Sequence, residues 1–187
     1  MRRLRVAAAS LLAALAGAGT TLPQAAAPAP EYQVKAAFLF NFARFVEWPE
    51  DAFAGPGSPL VLGVLGADPF GPELDETLRG KTVHGRGLEI RRFARPADVG
   101  RCHLLFVGRG ELARLRRSLE PLADRGVLIV GDEDGPRVAG VMIRLTREQD
   151  RIRFEVDLAA VERARLKISS KLLRVGKVVT AVAAGGD

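Results

Sequence analysis

Three short, almost uninterrupted apolar runs, at residues 59–65, 102–107 and 127–130, limit most severely what this chain can fold into. Each is too short for a buried helix, and each ends at glycine, proline or a polar turn. Runs of this kind are strands covered on both faces, and such strands belong to a mainly parallel sheet. Between them lie a short helical segment at 72–78, opened by Pro72, and another from Gly110-Glu111 through Leu119. Residues 88–93 alternate as a further strand. The alternation of strand and helix predicts a single three-layer α/β domain with helices on both faces of the sheet. After the polar stretch 131–136, residues 141–145 and 152–156 alternate apolar and charged around Glu148-Gln149-Asp150. That pattern predicts an antiparallel hairpin at one edge of the sheet. Two helical stretches, 158–165 and 169–179, close the chain, the second capped by Ser169 or Ser170.

Ahead of the first strand, residues 33–46 read as a helix with Phe38, Leu39, Phe40, Phe42, Phe45 and Val46 on almost every side, ended by Trp48-Pro49. A helix this apolar must be buried on most sides. It is interrupted by Lys35, Asn41 and Arg44 and is shorter than a membrane span, so its Phe42, Phe45 and Trp48 face belongs either to the core or to a partner surface.

Residues 1–30 have a different composition. Arg2, Arg3 and Arg5 precede an apolar run of about ten residues, followed by small residues and then Pro28 and Pro30. This is the layout of a secretory signal peptide followed by an Ala/Pro linker, and its core is too short to stay in a membrane as an anchor. Cleavage after Ala18 fits best; cleavage after Ala27 would leave Pro28 at the cut. The organisation expected is a signal peptide and linker at 1–30, one domain at 31–180 and a flexible tail at 181–187. The net charge of +6 includes the three leader arginines, so the exported chain carries +3. The remaining arginines are interspersed with acids, which argues against nucleic acid as a partner.

Catalytic constellations are absent from the pattern. There is no phosphate loop, dinucleotide fingerprint or paired-cysteine site, so no catalytic residue, cofactor or metal is expected. Cys102 is the single cysteine, which rules out an internal disulfide, and it reads as a core thiol; a disulfide-linked homodimer would require it to be exposed. His103 follows it directly, so on a strand the two side chains diverge and form no Cys-His pair. His84 sits among glycines and reads as a surface loop residue. Asp132, Glu133 and Asp134 lack the ligand order of a calcium loop and read as a solvated turn. The loops after the central strands would nevertheless meet where open α/β sheets place ligands, which makes Asp68, Arg109 and Asp132 the candidate ligand-binding residues.

Several phrases in order resemble the YfiR-like periplasmic proteins. They are 35–42 (KAAFLFNF) with Phe45 and Trp48-Pro49, 68–71 (DPFG), 80–83 (GKTV), 102–107 (CHLLFV), 153–156 (RFEV) and 166–173 (LKISSKLL). The resemblance runs from about Tyr32 to Val179. It implies a periplasmic α/β domain that binds the periplasmic portion of an inner-membrane diguanylate cyclase, represses it and lowers cyclic di-GMP, with no catalysis and no membrane insertion of its own. Related domains joined to sensor kinases make a small-molecule sensor the alternative. Partner contact would fall on Lys167, Ile168, Ser169 and Leu172, together with the Phe42, Phe45 and Trp48 face. The chain departs from the family pattern in having Cys102 alone, Asp157 where Asn is usual, and Ala139-Gly140 in place of a glycine pair; redox control by paired cysteines is thereby lost.

Overall fold

The three apolar runs form the middle of an eight-stranded sheet in the computed structural model, which describes residues 30–132 and 136–179. The expected signal peptide, the carboxylates Glu133 and Asp134, and the C-terminal tail lie outside the described residues. The chain opens with α1 (Pro30–Phe45), β1 (Val46–Glu47), β2 (Leu60–Leu65), α2 (Pro72–Leu78), β3 (Thr82–Val83) and β4 (Arg86–Phe93). It continues through β5 (Leu104–Val107), α3 (Glu111–Ala123), β6 (Leu128–Asp132), β7 (Ile143–Glu148) and β8 (Arg151–Asp157). It closes with α4 (Leu158–Arg163), β9 (Lys167–Ile168), α5 (Ser170–Leu173) and β10 (Lys177–Val179).

Strand order is β10-β8-β7-β6-β5-β2-β4-β3. From β4 through β2, β5 and β6 to β7 every pairing is parallel, while β7 and β8 form the expected antiparallel hairpin. The central strands are buried along their whole length, as continuous apolar runs require when both faces are covered. On one face Phe106 of β5 meets Phe70 at 4.7 Å, and Phe70 meets Tyr32 of α1 at 5.5 Å. On the other face Gly131, aligned with Val107, leaves room for Leu112 of α3. Helices thus cover both faces of one mainly parallel sheet.

Several boundaries differ from expectation by a few residues, and three of the differences change an element's type or the path of the chain. The predicted closing helix 169–179 is a single turn, α5, followed by the strand β10, which adds outside the hairpin, parallel to β8. Gly176 marks the change: a Cβ there would overlap the Phe154 ring, so the chain runs flat against β8, and Val178 and Val179 favour extended backbone. Val46, expected at the end of the first helix, begins β1 instead, which pairs with β9 in a two-stranded ribbon apart from the main sheet. The helix 158–165 stops at Arg163, and Arg165 turns the chain with a φ of 58°.

Candidate functional site

At the carboxyl ends of the parallel strands the structure concentrates buried charge. Asp132 ends β6, is 1 % exposed, and accepts hydrogen bonds from Lys35 Nζ on both oxygens at 2.8 Å and from the Tyr32 hydroxyl at 3.2 Å. Lys35, on the first turns of α1, is equally buried and also meets Glu31 at 3.4 Å. Arg109, from the loop after β5, stands 3.7 Å from Asp132 and 3.8 Å from Glu31, and Arg147 of β7 stands 3.7 Å from Glu31. Burial, and then the Asp132 carboxylate, push the Tyr32 phenol up to about 12. A buried ion pair survives because its remaining lone pairs are satisfied, and Asp132 has the Lys35 ammonium and the Tyr32 hydroxyl as donors, with the Arg109 guanidinium nearby.

Of the three expected ligand residues, Arg109 and Asp132 are therefore brought together, and α1 supplies the groups that engage Asp132. Asp68 lies in a separate cluster. One oxygen accepts from the Phe70 backbone N–H at 2.8 Å, closing the turn after β2, and the other accepts from Arg92 Nε at 2.7 Å; Arg92 also reaches Asp75 at 2.5 Å. The expectation that Asp132 belongs to a solvated turn is corrected. It is the last residue of a buried strand, and the ammonium of Lys35 is what allows a carboxylate there.

A second buried carboxylate was not singled out from the sequence. Glu155 of β8 is 7 % exposed and takes Arg144 at 2.9 Å, Arg137 at 3.1 Å and Lys177 at 3.1 Å. Burial raises its carboxyl, but the bonds from Lys177 and Arg144 outweigh that and hold it below the usual carboxylate range. Glu155 thereby ties β10 to the hairpin. The sequence signal was its place between Phe154 and Val156, an acid in an otherwise buried strand centre.

Cys102 and His103 diverge as expected. The thiol lies beside Gly63 and bonds the Leu104 carbonyl at 3.1 Å, and burial pushes it up to about 12. His103 Nδ1 accepts from the Val61 backbone N–H at 2.9 Å, and its ring stacks on Phe53 at 4.4 Å. Burial lowers its imidazole to about 4. Cys102 is buried, so the disulfide-linked homodimer has no accessible thiol. His84 is an exposed turn residue with a φ of 51°. Among the described residues no group of three or more metal-ligating side chains gathers.

The residues expected to contact a partner divide into two sets. Phe42 is fully buried and Leu172 nearly so; Phe42 packs on Phe154 at 5.1 Å, so both serve the core and present no surface. The others collect around the β1–β9 ribbon. Val46 pairs with Ile168 and Glu47 with Lys167, and the Ser169 backbone N–H donates to the Phe45 carbonyl at 2.8 Å. Phe45, Ile168 and Ser169 are half-buried and Lys167 is exposed. Trp48, also half-buried, is held by its indole N–H on the His103 carbonyl at 3.1 Å. The Ser169 hydroxyl caps α5 by accepting from the Lys171 N–H at 3.3 Å.

Compared with curated proteins, the chain matches none. The family described as DUF4154, YfiR/HmsC-like, matches residues 32–177, which takes in the Tyr32–Lys35–Asp132 cluster, Glu155 and the ribbon. A match over that much of the chain shows that the protein, an α/β domain as the resemblance implied, belongs to the YfiR/HmsC-like family.

Proposed function

We propose that this protein is a periplasmic regulatory module that binds the periplasmic portion of an inner-membrane diguanylate cyclase or sensor kinase. It holds that enzyme's output down, lowering cyclic di-GMP without catalysing a reaction. Family membership supports the regulatory reading, and the leader at residues 1–30 supports export. Among the described residues no helix is long and apolar enough to cross a membrane. The observation that carries the reading is the β1–β9 ribbon, an element outside the main sheet, where half-buried Ile168 and exposed Lys167 pair with a strand flanked by half-buried Phe45 and Trp48. An apolar patch rimmed by charge is the composition of a docking surface.

The small-molecule reading has less support. Asp132 is engaged by Lys35 and Tyr32, and Asp68 by Arg92 and its own turn, so a ligand would have to displace the chain's own partners.

The test is genetic and biochemical together. Deleting the gene should raise cyclic di-GMP, and Ile168→Asp should lose both repression and co-purification with the partner's periplasmic portion while still melting cooperatively. Lys167→Ala, at an exposed position, gives the same readout should Ile168→Asp fail to fold. Unchanged cyclic di-GMP in the deletion strain overturns the proposal. N-terminal sequencing should place the mature start at Gly19; an intact chain recovered from the cytoplasm overturns the export part.

A further inference from the structure

The last described stretch of the chain carries charge of one sign only. Residues 163–179 contain Arg163, Arg165, Lys167, Lys171, Arg174 and Lys177 and no acid, and all six cations are exposed. Arg165 faces Asp51 at 3.7 Å and Lys177 faces Glu155 at 3.1 Å. Arg163, Lys167, Lys171 and Arg174 have no ion-pair partner among the described residues. Lys171, Arg174 and Val175 are three and four apart on the α5 turn, which the Val175 N–H continues by donating to the Leu172 carbonyl at 3.2 Å. They therefore share one side of that turn, while Leu172 is buried in the core.

The same stretch exposes apolar surface. Val175 is 68 % exposed and Val178 46 %, and with Val34 they are the exposed large hydrophobic residues of the described chain. Cations without counter-ions, followed directly along the chain by exposed aliphatic groups, suit a surface that offers negative charge above an apolar layer. A peptide partner would call for cations around a groove. The grooves lined by Val34, Phe38 and Ile152 and by Asp75, Gly80 and Ile90 lie elsewhere, and in the one that borders β10 at Val179 the cations Arg137 and Arg144 are already paired with Glu155.

We propose that the α5–β10 face docks the exported protein on an anionic lipid bilayer. Lys171 and Arg174 would pair with headgroup phosphates, and Val175 and Val178 would rest at the acyl boundary without inserting further. The inference rests on the periplasmic placement proposed above and not on the identity of the partner. It would hold the neighbouring β1–β9 ribbon near a membrane-bound enzyme.

The test uses the protein purified from the periplasmic fraction and sedimented with vesicles of phosphatidylcholine alone or of phosphatidylcholine with phosphatidylglycerol. Pelleting is expected only with phosphatidylglycerol and should be released by high salt; the K171E/R174E variant should bind about tenfold or more weakly while melting like the parent. Ile168→Asp should pellet like the parent while losing the partner, so failure of the regulatory reading and failure of this one are read separately. Equal pelleting with both vesicles, or undiminished binding by K171E/R174E, overturns the proposal. Loss of partner binding by K171E/R174E with vesicle binding unchanged also overturns it, and assigns the face to a protein.

Discussion

Lys35 places a full ammonium where the sheet offers it no water, and its three contacts with Asp132 and Glu31 are its compensation. Removing one member of a buried pair leaves the other charged and desolvated, so Lys35→Ala should lose about 3 kcal/mol in urea unfolding. Lys35→Met with Asp132→Asn should recover part of that loss, since the uncompensated charge is then gone. His103 makes a pH-dependent contribution. Its imidazole titrates near 4 when folded, against an ordinary value near 6.5, because burial disfavours the cation. As pH falls through 6.5 the unfolded chain takes up a proton that the folded chain refuses. Stability should therefore drop by up to about 3 kcal/mol between pH 6.5 and 4 and then level off. A urea-midpoint series should show that slope in the parent and a flatter one in His103→Gln; identical slopes would remove His103 from the account.

Elements here begin and end where side chains satisfy backbone groups. Asp157 leaves β8 and caps α4, its carboxylate accepting from the Ala160 N–H at 2.9 Å. Asn at this position would offer the same acceptor, which explains why the departure from the family pattern leaves the junction intact. Asp157→Ala should lose about 1 kcal/mol and Asp157→Asn only a few tenths, measured by thermal or urea unfolding. Gly140 works differently: its φ is 85°, and a Cβ would stand 3.0 Å from the Leu119 and Glu120 backbone at the end of α3. Its neighbour Ala139 has no such constraint and is exposed, so only the second residue of the family's glycine pair is required here.

Over the whole molecule, one continuous core runs from Ala36 in α1 to Leu172 in α5, with the sheet between its layers. Cys102 sits inside that core, its thiol pushed up to about 12 by burial, so it reports on the opening of the sheet. In native buffer a thiol reagent should label it only as fast as the protein opens, and denaturant should expose it fully. Rapid labelling of the native chain would contradict the burial of Cys102. The same burial keeps the molecule from linking to a second copy by a disulfide, so a homodimer would need a noncovalent face.

The central strands, the β7–β8 hairpin, the first helix and the separation of Cys102 from His103 were legible in the sequence, because each depends on local pattern: apolar run length, alternation, helical spacing. Asp68, Arg109 and Asp132 were legible as residues near the strand ends, but not as members of two different clusters. Lys35 comes to Asp132 from 97 positions away, and no local rule pairs them. Phe42 and Phe45 stand three apart on one apolar helix; which of them faces the core depends on where Phe154 and β9 arrive from the other end of the chain. The same holds for the last strand: residues 177–179 become β10 because Glu155 and Phe154 receive Lys177 and Gly176. Local sequence set the elements through steric and solvation preferences acting over a few residues, whereas the tertiary structure decided the partners of the buried charges and the exposed face, since both depend on contacts between distant segments.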